Sequence, residues 1–314
     1  MTVRDLVPDE RKCVTTRSFS HRPRVIIDTD AKNEADDQFA IAHALLSPSL
    51  DVRGIVPAHF GNRRTRSGMQ ESRAEVEFLL RSLSLTDSVP VADGAPNALP
   101  DIWTPVASPG AELIVSEAMR DAAEQLYIAF LGPLTDLASA LLLEPRIAER
   151  NVTAIWIGGG GYDRYDGWPE FNLSNDIVAA NIVFSSRLRV WQVPAPTYRM
   201  MSVGYAELDE KVAPCGELGE YLVREVVEWN RQNRPAAEYH VLGDSPAVGL
   251  MLNPDCGTWV ERPAPVFRYD GSHEPTTENR PIRIYESIDA RFIHEDFFAK
   301  LRSFTRRNEL AGAQ

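Results

Sequence analysis

Cysteine is scarce: the 314 residues hold three, Cys13, Cys215 and Cys256, with no CxxC pair. An odd number at such wide spacing suggests neither a disulfide framework nor a structural zinc site, so a reducing, cytoplasmic setting is expected. Positive charge is short as well. Lys and Arg number 33 against 45 Asp and Glu, a net charge of −12, which argues against nucleic acid as the principal partner because phosphate neutralisation needs clustered cations. No apolar run reaches the ~20 residues that cross a bilayer, so no membrane partner is expected. The N-terminal residues are charged and lack the apolar stretch of a secretory signal; residues 1–23 read as a loose arm ahead of one domain spanning 24–314.

What is present is ordinary globular material, 44% hydrophobic and 25% charged, enough for a sizeable core. Short β-branched runs at 24–28, 52–58, 126–131, 152–157 and 188–193 read as buried strands. Between them, apolar residues recur at helical spacing over 36–46, 65–83, 133–143 and 176–184. This rhythm implies right-handed βαβ crossovers, hence an α/β fold with a mainly parallel central sheet flanked by helices. Residues from about 258 onward read as three short strands, around Trp259, Phe267 and Ile284, and a helix over 289–304, an appendage to the same domain. In such sheets ligands bind beyond the carboxyl ends of the strands, so chemistry is expected there.

The first strand ends in four aspartates within ten residues: Asp28, Asp30, Asp36 and Asp37. Carboxylates this close raise one another's pKa unless a cation or hydrogen-bond donors compensate. A helix N-terminus offers only ~0.3–1 kcal/mol to each, whereas a divalent ion compensates far better. Oxygen-only ligands favour calcium or magnesium over zinc. Taken alone, the segment also reads as one N-capping Asp with solvated neighbours. Other strand ends add His59-Phe-Gly-Asn62, Leu131-Gly-Pro, a glycine run followed by Glu170-Phe-Asn172, and Asp244-Ser-Pro-Ala before a helix. Each by itself has a plain structural reading as a turn, a surface charge or an N-cap.

The order and spacing of these blocks, over roughly residues 24–255, resemble the nucleoside hydrolase family, the inosine–uridine-preferring ribohydrolases. The resemblance implies a single-domain, Rossmann-like nucleoside hydrolase fold and Ca²⁺-dependent hydrolysis of the N-glycosidic bond of a ribonucleoside or similar riboside. It implies that Asp30, Asp37, Asp244 and the Leu131 carbonyl hold Ca²⁺, and that Asp30 also deprotonates the attacking water. Asp36, Asn62, Glu170 and Asn172 would bind ribose hydroxyls, with Asp28 orienting the metal site from behind. A homodimer or homotetramer is implied as well. Other readings stay open: a relative acting on another sugar-containing metabolite, or a non-catalytic sugar-binding protein.

Two departures from the family pattern stand out. Five residues, 31–35, separate Asp30 from Asp36 where the family motif has three, which offers Lys32, Asn33 or Glu34 to the ligand. Gly243 stands where the inosine–uridine type carries the histidine that protonates the leaving base. His240, Tyr239, Trp103 and Trp168 are the candidate leaving-group contacts, the first two by nearness in sequence and the tryptophans by stacking.

Overall fold

A computed structural model describes residues 21–163 and 167–312. Most of the expected N-terminal arm, residues 1–20, therefore lies outside the described residues. The first half of the chain alternates as expected: β1 (Arg24–Thr29), α1 (Asp37–Leu45), β2 (Asp51–Pro57), α2 (Gly68–Ser82), α3 (Pro109–Met119), β3 (Leu126–Phe130), α4 (Thr135–Leu143) and β4 (Val152–Ile157). There follow α5 (Phe171–Asn175), α6 (Ile177–Ser185), β5 (Arg189–Val193), α7 (Ala195–Tyr198), β6 (Ser202–Gly204), α8 (Tyr205–Lys211) and α9 (Gly216–Asn233). The chain closes with β7 (Tyr239–Val241), α10 (Ser245–Leu252), β8 (Trp259–Pro263), β9 (Val266–Phe267), β10 (His273–Glu274), β11 (Pro281–Tyr285) and α11 (Ala290–Gly312).

The main sheet has seven strands in the order β2-β1-β3-β4-β5-β11-β8. All pairings are parallel except the last, where β8 runs antiparallel at the edge. The C-terminal segment is thus no appendage: β11 pairs with β5 through Arg283 and Ile284 and carries the sheet two strands further. Short pairs, β6 with β7 and β9 with β10, lie beside it.

Strand side chains alternate between two cores, as the period of two demands. Val25, Ile27, Ala129, Ile155 and Ile157 join one core, under α1, α2, α9, α10 and α11. Ile26, Ile128, Phe130, Ala154 and Trp156 join the other, under α3, α4 and α6. Asp28 shares the face of Ile26, which explains why its nearest carboxylates include Asp136 of α4. Helix α9 had no counterpart in the sequence reading, yet Leu218, Leu222 and Val226 form a buried stripe at a spacing of four. Helix α3 was also unforeseen; Ser108 caps it by accepting from the Ala111 N–H at 3.0 Å, with Pro109 in the first turn.

From β1 the chain moves outward to β2, then returns to place β3 on the other side of β1. The connections leaving β1 and β3 therefore diverge, opening a crevice beyond their carboxyl ends. Residues 30–36 and 131–134 form its two lips.

Candidate active site

The lip after β1 is held from every side. The Asn33 N–H donates to the Asp30 carbonyl at 2.8 Å, making a turn. Gln38 Nε2 donates to the Ala31 carbonyl at 2.7 Å. Lys32 turns away from the crevice and spans α2 and α9, donating to Glu75 at 3.0 Å and Glu225 at 2.7 Å. The Asn33 carbonyl accepts from Arg64 and, at 3.3 Å, from Trp229 Nε1. Of the three residues offered by the longer loop, Lys32 is thus an anchor, Asn33 a wall, and Glu34 projects into the crevice.

The aspartates converge as the sequence suggested. Asp28, Asp30, Asp37 and Asp244 are all buried, and Asp36 is half-buried. Carboxylate oxygens of Asp36, Asp37 and Asp244 lie within 4.8 Å of one another. Both oxygens of Asp28 and Oδ2 of Asp30 have no hydrogen-bond partner among the described residues. Burial, reinforced by the neighbouring carboxylates, holds Asp28, Asp30, Asp36 and Asp244 well above the ordinary carboxylate range. Asp37 is pushed up by burial to about 6, less than the others because Thr29 Oγ1 donates to it at 2.5 Å. With their oxygens this close, Asp37 and Asp244 favour a proton or a cation between them. Crowded buried oxygens without donors fit a hard divalent cation, which would supply the missing positive charge.

Two glycines make the approach possible. A Cβ on Gly132 would come within 2.9 Å of Asp30 Cγ, so only glycine lets the β3 lip close over that carboxylate. A Cβ on Gly243 would meet Asp36 Oδ2 and Tyr198 Cδ2, each at 3.1 Å. The space beside residue 243 belongs to the Tyr198 ring.

On the far wall, Leu131 lines the crevice and its carbonyl accepts from Asn172 Nδ2 at 2.6 Å. The same amide nitrogen donates to the Ile157 carbonyl at 2.8 Å, tying the ends of β3 and β4 together. Glu170 caps α5. Its Oε1 accepts from the Asn172 N–H and, at 3.1 Å, from the Tyr198 hydroxyl; its Oε2 accepts from the Gly159 N–H at 2.8 Å and the Leu173 N–H at 3.0 Å. Burial and the adjacent Glu170 charge hold the Tyr198 phenol well above its ordinary value, so it stays protonated.

Two chambers share this wall. The inner one, about 240 Å³, is lined by Asp30, Asp36, Asp37, Leu131, Asn172 and Asp244 among others. The outer, about 540 Å³, extends past Trp168, Pro169, Arg199 and Tyr239. Glu34, Asp36, Glu170, Phe171, Tyr198, Arg234 and Gly243 line both. Burial raises the Glu34 carboxyl to about 7, against the lowering charges of Arg234 and Arg64.

Three expected residues are placed elsewhere. Asn62 is exposed and lines neither chamber; its amide donates to Asn97 at 3.4 Å. The cause is local: Gly61 turns the chain at φ +73°, its N–H donating to His59 Nδ1 at 3.1 Å, while His59 Nε2 binds Thr135 Oγ1 at 2.9 Å. Arg64 lines the inner chamber instead. His240 is fully buried, edge-on to Trp229 at 5.4 Å, with Nδ1 against Asn230 Oδ1 at 3.2 Å, so it offers no surface to a ligand. Trp103 is 78% exposed and lines neither chamber, because Asp101 holds its loop by accepting from the Trp103 and Thr104 N–H groups. Trp168 and Tyr239 do line the outer chamber. Sequence reading missed Arg64, Tyr198 and Arg234; Tyr198 follows β5, a strand end as open to inspection as the others.

Residues 25–293 match the family described as inosine-uridine preferring nucleoside hydrolase. The pyrimidine-specific ribonucleoside hydrolase RihA of Salmonella newport (strain SL254) is 26% identical over 249 residues, covering 72% of this chain and 79% of that protein. RihA of Escherichia coli O9:H4 (strain HS) is 26% identical over 260 residues, covering 76% and 82%. Among solved structures, the purine-preferring ribonucleoside hydrolase from Gardnerella vaginalis gives a TM-score of 0.75 at 19% identity, over 90% of this chain and 99% of that one. The plant nucleoside hydrolase PpNRh1 gives 0.73 at 22% identity, over 89% and 99%; at such identities these two likenesses establish the fold. With the matched span running from β1 to the start of α11 and taking in every carboxylate of the crevice, the chain belongs to the inosine-uridine preferring nucleoside hydrolase family, metal-dependent enzymes that hydrolyse the N-glycosidic bond of ribonucleosides.

Proposed function

We propose that the chain is a calcium-dependent ribohydrolase whose inner chamber takes the ribose and whose outer chamber takes the leaving base. The observation that carries this reading is the set of buried, mutually repelling carboxylates at the strand ends, left without enough donors of their own. Asp30, Asp37, Asp244 and the second lone pair of the Leu131 carbonyl would hold the ion, and Asp36 stands close enough to join them. A calcium ion bound there supplies an acidified, positioned water.

The chain's own groups do the rest. Asp30 takes the proton of the attacking water, using the oxygen that no neighbour occupies. Positive charge builds on the ribose as the base departs, and Asp30 and Asp36 face it in a crevice of low dielectric. Asn172 Nδ2 is committed to two main-chain carbonyls, which leaves Oδ1 for a sugar hydroxyl. Glu170 already accepts four hydrogen bonds, so a ribose hydroxyl reaches it by taking over the place of the Tyr198 hydroxyl. A cytoplasmic setting agrees with Cys215 and Cys256 being buried free thiols.

Ribose release from a nucleoside panel, before and after chelation and again after returning calcium, tests the reading. Activity lost to the chelator and restored by calcium is the expected result. Turnover indifferent to chelation would refute the metal assignment, and no ribose from any nucleoside would refute the hydrolase reading.

A further inference from the structure

We infer that Glu34 and Arg234 are the side chains that hold the leaving base, at the junction where the two chambers meet. The inference rests on the hydrolase reading and deepens it. The inner chamber, at about 240 Å³, is walled by carboxylates, a lining that suits sugar hydroxyls and an ion rather than a flat aromatic ring. The base then occupies the outer chamber, about 540 Å³, and the bond to be broken lies at the residues common to both.

Those common residues can be sorted by what they already touch. Glu170 is taken up by its three backbone N–H donors and a ribose hydroxyl, and the Tyr198 hydroxyl that gives way to the sugar is a neutral phenol beside the ribose, carrying no charge for the base. Asp36 belongs to the carboxylate cluster. Phe171 is apolar and Gly243 has no side chain. Glu34 and Arg234 remain. Arg234 and Arg64 act on the Glu34 carboxyl through their charges, but its one ion-pair contact within 4.0 Å among the described residues is His240 Nε2, at 3.7 Å from Oε1 and beyond ordinary hydrogen-bond length. The Arg234 guanidinium lies over the Trp229 ring, 5.4 Å from its centroid, with no carboxylate within 4.0 Å among the described residues. A carboxylate and a guanidinium that both face one cavity, and have not closed on each other, are a donor and an acceptor awaiting a third group.

A nucleobase supplies that group. Its ring edge carries N–H groups, which a carboxylate accepts, and carbonyl oxygens, on which negative charge gathers as the C–N electron pair moves into the ring. A guanidinium donates to those oxygens. Both holders are built to stay in place. The 31–35 loop is pinned through Lys32, Asn33 and Ala31, so Glu34 has little freedom to lose on binding. Arg234 is the C-cap of α9, whose Trp229 in turn donates to the Asn33 carbonyl. His240, buried and edge-on to Trp229, backs Glu34 from behind.

The test compares two leaving groups in the calcium-loaded enzyme and in Glu34→Ala, Glu34→Gln and Arg234→Ala. Uridine and inosine need the departing base held; p-nitrophenyl riboside releases a phenolate that carries no N–H and leaves readily. A hydrogen bond involving a charged group corresponds to ~10–10²-fold in rate. Glu34→Ala and Arg234→Ala should each lose about that much kcat/KM on the nucleosides, at least tenfold beyond their loss on p-nitrophenyl riboside, with Glu34→Gln intermediate. Equal losses on both substrate types would overturn the inference, since a distorted metal loop or a general packing defect acts on ribose and aglycone alike. Arg234→Ala alters a side chain outside the 31–35 loop, so it decides the matter if Glu34→Ala fails to fold. Ribose release from neither substrate type by the parent enzyme would bring down the hydrolase reading itself, whereas release from both with equal losses in the variants brings down only the assignment of Glu34 and Arg234.

Discussion

Removing the metal should turn the active site into the weakest part of the fold, and pH should reveal it. Raising Asp37 from its ordinary 3.8 to about 6 means that keeping it charged at pH 7 costs the folded state ~3 kcal/mol. Asp28, Asp30, Asp36 and Asp244 are raised further in the same direction. Above pH 4 the folded chain holds protons on these groups that the unfolded chain has released, so stability is lost as pH rises through the folded-state values. Buried histidines act in the opposite sense. His59, His240 and His273 are lowered to about 4 by burial, so their stabilisation is lost as pH falls below the ordinary 6.5. The window in which the histidines are neutral in both states, and the carboxylates dominate, therefore lies above pH ~7.5. Chelated protein should unfold at progressively lower temperature or urea concentration as pH is raised from ~7.5 to ~8.5. Calcium at a hundredfold its Kd should add ~2.7 kcal/mol and flatten the slope. Chelated protein whose stability is level or rising across that window, and unmoved by calcium, magnesium or manganese, would refute the reasoning.

Asp30→Asn, nearly isosteric, should abolish turnover by several orders of magnitude while making the chelated protein more stable at neutral pH, because one repelling charge is gone; kinetics and thermal unfolding together check both halves. Gly132→Ala should cost both metal affinity and kcat, since its Cβ would stand 2.9 Å from Asp30 Cγ; calcium titration by calorimetry that matched the parent would contradict the close approach. Asn172→Ala removes the amide that ties the Leu131 and Ile157 carbonyls, and should cost ~1–3 kcal/mol of stability for the buried acceptors left behind, read from urea midpoints at constant m.

How much of this was legible in the chain differs by element. Strand β4 matches its expected span, 152–157, because Val-Thr-Ala-Ile-Trp-Ile is buried on both faces and bounded by Asn151 and a glycine run. The aspartate cluster was legible because charge crowding is a local property. What escaped was set by tertiary direction. In the turn after β2, composition marks both Asn62 and Arg64 as polar, but only Gly61 at φ +73° and its bond to His59 decide that Arg64 faces the crevice and Asn62 does not. His240 looked available from sequence; Trp229 and Asn230, on a helix the strand-centred reading passed over, bury it. Tyr198 lies just after a strand end and so was open to inspection, but nothing local says that its ring packs beside Gly243.

That last contact binds two positions 45 residues apart into one evolutionary unit. A side chain at 243 would press on the Tyr198 ring and the Asp36 carboxylate, each 3.1 Å from its Cβ, so a histidine there is accommodated more easily once residue 198 has become smaller. The reverse order passes through an intermediate in which the ring and the carboxylate are crowded. Substitutions at the two positions should therefore be contingent on one another: neutral or harmful depending on which came first, with Gly243→His tolerated on a background of Tyr198→Ala and penalised on the present one.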